Sequence, residues 1–209
     1  MGLFADRTDA GRQLAEALAK YAGAPNAVVL ALPRGGVPVG YEVARRLGLP
    51  LDVYVVRKLG VPGHEELAMG ALAGDGTCIV DEDLVHSLKI DDDTLRQVVD
   101  RELGEMRRRE RAYRDDRSPP DVAGKTVIVV DDGLATGATM RAAATALRAH
   151  GPRAIVAAVP VAARRTCASL RGIVDRVVCV HKPEPFHAVG LYYDDFSQTG
   201  DEAVRRLLA

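Results

Sequence analysis

Residues 127–139 read VIVVDDGLATGAT. Four β-branched residues run into two adjacent carboxylates, Asp131 and Asp132. A loop of Gly133, Leu134, Ala135, Thr136, Gly137, Ala138 and Thr139 follows, and a helical pattern then begins through Met140, Ala144 and Leu147. An unbroken apolar run of this length is what a strand buried on both faces requires. The two acids then sit at the strand's carboxyl end, where open α/β sheets bind their ligands. Gly, small residues and hydroxyls in the loop let backbone amides turn inward on an anion. The loop delivers that anion to a helix amino terminus, the positive end of the macrodipole.

Other readings of the stretch are weaker. Hydrophobic residues followed by Asp-Asp can form a Walker B strand, and Gly124-Lys125-Thr126 looks like the end of a P-loop. A P-loop needs a Gly at position 119, where the chain has Pro119, and it must follow a strand rather than precede one. No G-x-G-x-x-G follows any strand, which removes the dinucleotide fingerprint. A purely structural strand–turn–helix with an acidic end is the remaining alternative.

The stretch resembles the 5-phosphoribosyl-1-pyrophosphate (PRPP) motif of the type I phosphoribosyltransferases: four hydrophobic residues, two acids, a short spacer, then Thr-Gly-(Gly/Ala)-Thr. The resemblance implies that Asp131 and Asp132 hold the ribose hydroxyls. It gives the 5′-phosphate to Ala135, Thr136, Gly137, Ala138 and Thr139. The chemistry agrees, because a diol donates to carboxylates and a phosphate dianion needs amide and hydroxyl donors. It further implies Mg2+, held mainly by PRPP oxygens and water, with Asp131 or Asp132 as direct or water-bridged ligands.

The 209 residues suffice for one α/β domain. Trp is absent and aromatics are few, so Ala, Val and Leu must fill the core. A formal charge of −1 gives no general pull toward nucleic acid or membrane. Cys78, Cys167 and Cys179 are odd in number and widely spaced, and are expected as reduced core residues of a cytoplasmic protein. No basic-then-apolar leader and no membrane-length apolar run is seen. The histidines lack metal-ligand spacing.

Working outward from the central motif, Asp9 is expected to cap a first helix through Ala10, Leu14, Leu18 and Tyr21. Residues 27–32 form a buried strand that ends on Pro33-Arg34-Gly35-Gly36, and Val39, Val43 and Leu47 mark the next helix. The turn 33–36 is either a tight connection or a loop where Gly lets amides approach an anion. The resemblance favours the latter and assigns Arg34, Gly35 and Gly36 to PRPP. Residues 51–56 read as another strand, with Arg57 and Lys58 at its exit. In the family, basic residues here meet the pyrophosphate, so Arg57 and Lys58 join Asp131 and Asp132 as the expected catalytic groups.

Residues 59–83 are punctuated by Gly and Pro, with strand candidates at 69–73 and 77–80. The resemblance implies a mobile loop that closes over PRPP and excludes water. His64, Glu65 and Glu66 near its start read first as solvated loop residues. Asp91, Asp92 and Asp93 open a long helix to about Arg114, within an insertion spanning about 84–118. Acids first and arginines last suit its dipole. Residues 101–117 hold seven arginines and five acids, a mixture that fits a salt-bridged exposed helix better than a nucleic-acid surface.

Strands and helices continue to alternate after the motif, which predicts an α/β fold: a parallel sheet flanked by helices, with a Rossmann-like core in a single domain 1–209. The tail from 181 to 209 carries four of nine aromatics: Phe186, Tyr192, Tyr193 and Phe196. They either cover a sheet edge or form the family's hood, with Phe186 and Tyr192 stacking on an acceptor. The position before Thr136 is Ala135, where enzymes acting on 6-oxopurines carry Asp, which counts against such a base. The implied activity is transfer of phosphoribosyl from PRPP to a nitrogen acceptor, such as a nucleobase, with loss of pyrophosphate. The resemblance also implies a homodimer that works on small molecules rather than membranes or nucleic acid. A regulator that kept the PRPP pocket without turnover is the rival, and the mixed charge of 101–117 argues against it.

Overall fold

Apolar strands and amphipathic helices alternate along the chain, and the computed structural model describes residues 2–74, 76–114 and 120–209. The side chains of Glu66 and Arg114 and the charged residues 115–117 fall outside the described residues, so the expectations on them are not carried further. The order is α1 (Arg7–Ala17), β1 (Ala27–Ala31), α2 (Gly36–Leu47), β2 (Leu51–Val53), β3 (Val56–Val61), β4 (His64–Ala73) and β5 (Cys78–Val80). Then come α3 (Glu82–Ser87), α4 (Asp92–Arg114), β6 (Thr126–Val130), α5 (Ala138–Arg148), β7 (Ala154–Val161), α6 (Arg164–Ser169), β8 (Arg176–His181) and α7 (Asp201–Leu208).

Five strands form one parallel sheet in the order β2-β1-β6-β7-β8. Its three central strands, β1, β6 and β7, are buried on both faces, as their continuous apolar sequences require. The alternation of side chains sorts them cleanly. Val29, Ile128, Val130, Val156 and Ala158 pack under Leu14, Leu18, Val39 and Val43 of α1 and α2. Val28, Val127, Val129, Ile155 and Ala157 pack under Met140, Ala143 and Leu147 of α5. The helix after β1 thus lies on one face and the helix after β6 on the other. The strand order reverses direction between those two neighbours, which makes the β1–β6 crevice a topological switch point.

The second sheet is antiparallel, β3-β4-β5. Residues 51–56, expected as one strand, are divided between the two sheets. The Tyr54 amide still bonds to Ala31 of β1 at 3.0 Å, whereas the Val55 carbonyl accepts from Gly74 at the end of β4, also at 3.0 Å. Arg57 and Lys58 therefore lie inside β3, facing Leu72 and Ala71 of β4, rather than at the exit of a parallel strand. The Gly-rich stretch 59–83 is mostly this meander.

A third apolar cluster joins Val37 of α2, Leu59 of β3, Met69 of β4, Val98, Met106 and Tyr113 of α4, and Val204 of α7. The last helix thus rests on α4 and α2, away from the tail aromatics. The first helix is capped by Asp6, whose carboxylate accepts from the Asp9 amide at 2.7 Å, so the expected cap at Asp9 sits one turn too late. Asp9 instead accepts from Ala5 at 3.2 Å. All three cysteines are free, but Cys78 is exposed, Cys179 half-buried and only Cys167 fully buried. The short edge strand β5 gives Cys78 no second layer to bury it. No helix among the described residues is long and apolar enough to cross a membrane.

Candidate active site

Both loops at the switch point are built by close approach. The Val130 carbonyl takes the Leu32 amide at 2.9 Å, extending the β1–β6 pairing to the brink of Asp131. The turn 33–36 then folds directly over the acids. A Cβ on Gly35 would collide with the Asp132 carboxylate, and one on Gly36 would come within 2.7 Å of the Val130 carbonyl oxygen and 3.0 Å of the Asp131 Cα. Any side chain at either place would push the turn off the carboxylates. The Pro33–Arg34 peptide is cis. Arg34 turns outward, its guanidinium 3.6 Å from Asp201 of α7.

Asp131 accepts from the Asp132 amide at 2.9 Å, and its second oxygen has no protein partner among the described residues. Burial and the neighbouring Asp132 charge hold its pKa well above the usual carboxylate range. Asp132 is also raised by burial, but less freely, because Arg7 opposes the shift. The Arg7 Nε and NH2 both lie 2.9 Å from Asp132 Oδ2, while NH1 donates to the Ser197 carbonyl at 2.7 Å. Its guanidinium carbon stands 3.9 Å from the centre of the Phe196 ring, a stacked cation–π contact. Nothing in the sequence marks Arg7. It reaches Asp132 because the N-terminal segment docks on the tail, with Phe4 and Tyr193 in a parallel bridge.

The tail aromatics divide into two groups. Tyr193 donates its hydroxyl to the Asp132 carbonyl at 2.6 Å and stacks against Phe4 and Phe196 at 5.1 and 5.0 Å. Its phenol is pushed far up by burial and the Asp132 charge. Phe186 and Tyr192 stack on each other at 5.3 Å, and the Tyr192 hydroxyl donates to the Pro185 carbonyl at 3.2 Å. The aromatics that touch the acidic loop are thus Tyr193 and, through Arg7, Phe196. The sequence places all four together but not in this order.

The loop 133–139 is pinned from below. The Leu134 amide bonds to Val161 and its carbonyl accepts from Ala163, tying it to the end of β7. Thr166 at the start of α6 donates its hydroxyl to the Ala135 carbonyl at 2.6 Å. Gly137, at φ +76°, caps α5 in the left-handed region, where a Cβ would also meet Thr166 Cγ2 at 2.7 Å. Thr136 and Thr139 are exposed, beside the first amides of α5, which have no intrahelical partners. Ala138 begins the helix half-buried.

Beside this loop lies a cleft of about 500 Å3, which brings together Pro33, Thr139, Arg57 and Lys58. Its far wall is α4, through Arg101, Glu102 and Arg109, and Glu65 closes one side. Of the expected phosphate loop, Thr139 thus opens on the same space as the expected basic residues, whereas Asp131, Asp132 and residues 135–138 do not line it. Among the described residues no group of three or more His, Cys, Asp or Glu side chains is arranged to hold a metal ion. The open Asp131 oxygen beside Asp132 suits a divalent cation only if a ligand's oxygens or water complete its shell.

The phosphoribosyl transferase domain model matches residues 5–195. Two strains of Mycobacterium tuberculosis contain proteins provisionally named phosphoribosyl transferases that are 47% identical over 204 residues. That alignment covers 98% of this chain but 46% of each of those proteins, so the chain spans about half their length. The crystal structure of TT1426 from Thermus thermophilus superposes with a TM-score of 0.90 at 43% identity, covering 98% of this chain and 97% of that one.

Proposed function

Because the chain belongs to the phosphoribosyl transferase domain family, we propose that it binds PRPP at the β1–β6 switch point and transfers the phosphoribosyl group to a nitrogen nucleophile. The bond from ribose C1 to the pyrophosphate oxygen breaks, and its electron pair leaves with pyrophosphate. The nitrogen lone pair forms the new bond to C1, and the proton it sheds passes to solvent. The observation that carries this reading is the cleft itself, where Thr139 of the loop 133–139, Pro33 of the turn over the acids and the basic pair Arg57–Lys58 share one space.

Each group has a task that its position supports. Asp131 and Asp132 accept from the ribose diol. Thr136, Gly137 and Thr139 offer hydroxyl and amide donors to the 5′-phosphate at the start of α5. Ala135 and Ala138 keep that cradle free of bulk. Gly35 and Gly36 hold the turn 33–36 against the acids, with Arg34 at its rim. Arg57 and Lys58 face charge that grows on pyrophosphate as its bond breaks, so they favour the transition state over the ground state. Mg2+ would be held by Asp131 or Asp132 together with substrate oxygens, and supplies neutralisation of the leaving pyrophosphate. Phe186 and Tyr192 remain candidates to contact the acceptor. No enzyme nucleophile is needed.

The test is pyrophosphate release from PRPP with Mg2+ across a panel of nucleobases and other nitrogen nucleophiles, beside PRPP affinity by calorimetry. We expect micromolar binding and release with at least one acceptor that is not a 6-oxopurine. Binding without release for any acceptor would favour the PRPP-sensing regulator, and no binding would end the proposal.

A further inference from the structure

The Arg57 guanidinium is already engaged on the cleft wall. Its Nε and NH2 donate to Glu102 Oε2 at 2.8 and 2.7 Å, while Glu102 Oε1 accepts from Arg101 Nε at 3.2 Å. The Glu102 side chain is only 12% exposed, so this carboxylate sits sunk between two guanidiniums. Arg109 reaches the same cleft from two turns further along α4, steadied by Glu105 at 2.9 Å. Four cations thus line the space against two carboxylates, Glu65 and Glu102. Arg57, Lys58, Arg101 and Arg109 opening on one cleft of about 500 Å3 can offer charge-assisted donors to a polyanion.

Building on the proposed function, we infer that α4 is the outer wall of the pyrophosphate subsite. Arg101 and Arg109 face the anion across the cleft from Arg57 and Lys58. Glu102 is an internal anion that occupies Arg57 in the free protein and yields it to pyrophosphate. A solvated, salt-bridged helix would keep its charges for itself, because exposed pairs contribute little. Here an acid of the helix that is only 12% exposed holds a cation of β3, so α4 and β3 are joined through the group the ligand needs. The exchange is chemically even-handed: one carboxylate leaves Arg57 and a phosphate oxygen replaces it with a charge-assisted bond of the same kind. Glu102 keeps Arg101 as its counter-ion, so the carboxylate is not left unpaired.

The test is calorimetry with inorganic pyrophosphate on the full chain and on R101Q, R109Q, E102Q, R57Q and R57Q/E102Q, with PRPP titrated in parallel. Loss of Arg101 or Arg109 should weaken pyrophosphate about three- to tenfold each, the scale of one charge-assisted contact in a half-exposed site. E102Q should bind pyrophosphate several-fold more tightly, a gain that damage to the fold cannot produce. That gain should vanish in the R57Q background, because the two residues act through one contact. Unchanged or weaker binding by E102Q would overturn the latch, and wild-type affinity in both R101Q and R109Q would overturn the wall. In either case PRPP binding by the wild type would leave the proposed function standing. If the wild type takes neither pyrophosphate nor PRPP, both fall together.

Discussion

Asp131 and Asp132 look equivalent in the sequence, and the structure separates them. Asp132 has Arg7 at 2.9 Å, whereas Asp131 has only a backbone amide and an open oxygen. Its raised pKa means that the folded protein binds the Asp131 proton more tightly than the unfolded chain does, where the value is about 3.9. Stability from this group is therefore fullest below about pH 4 and is lost as pH rises from there through the folded-state value. Asp131→Asn removes that penalty, so the ligand-free variant should melt above wild type at pH 7, with the gap closing toward pH 4. Asp132→Asn should gain less at pH 7, because Arg7 already offsets part of the burial penalty on Asp132 and is left without its carboxylate. Thermal melts of both variants from pH 4 to 8 decide it, and a lower melting temperature for Asp131→Asn at pH 7 would make that acid structural. The acidic pair was legible because strand, acids and loop are contiguous, each with its own local chemistry. Arg7 was not, since its partner lies 125 residues away and the contact depends on how the N-terminal segment meets the tail.

At the scale of elements, α4 packs on the third apolar cluster through Leu95, Val99, Leu103 and Met106, a spacing of three and four residues that puts them on one helical face. The error at residues 51–56 has a definite origin. An apolar run reports burial, but not which strand accepts its hydrogen bonds, and here the partner changes from β1 to β4 after Tyr54. The same blindness applies to α7, whose eight residues could lie anywhere on the surface by pattern alone. In the structure Val204 is fully buried against α4 and α2, Tyr113 donates to Asp201 at 2.7 Å, and Asp201 also approaches Arg34 at 3.6 Å. The Tyr113 hydroxyl is pushed up to about 12, by burial first and then by Asp201, so this contact persists across the physiological range. Val204→Ala removes two buried methyl groups and should cost about 2 kcal/mol in urea unfolding. A loss below about 0.5 kcal/mol, the range of a surface change, would mean that α7 is a loose tail rather than part of the third cluster.

At the scale of the whole molecule, the parallel sheet carries the acids and the proposed phosphate cradle, while the antiparallel sheet and α4 carry the cations of the cleft. The former are joined in one contiguous stretch plus the turn 33–36, which is why that half of the candidate site was readable from sequence. The latter are gathered from residues 57 to 109 by packing, and so Arg101, Glu102 and Arg109 carried no local signature. A ligand that spans both halves must tie them together, and this has a thermodynamic consequence. PRPP, whose 5′-phosphate and pyrophosphate would occupy one half each, at 100 times its dissociation constant should stabilise the native state by about 2.7 kcal/mol. For a chain of 209 residues that corresponds to a rise in melting temperature of roughly 5–10 °C. The rise should shrink as salt is added, because the contacts are charge pairs at the edge of solvent. Hydrogen exchange should slow in β3, β4 and α4 as well as at the start of α5, since opening either half would now release the ligand. Protection confined to residues 131–141 would mean that the anion rests on the cradle alone, and that the cation sheet stands beside the ligand without holding it.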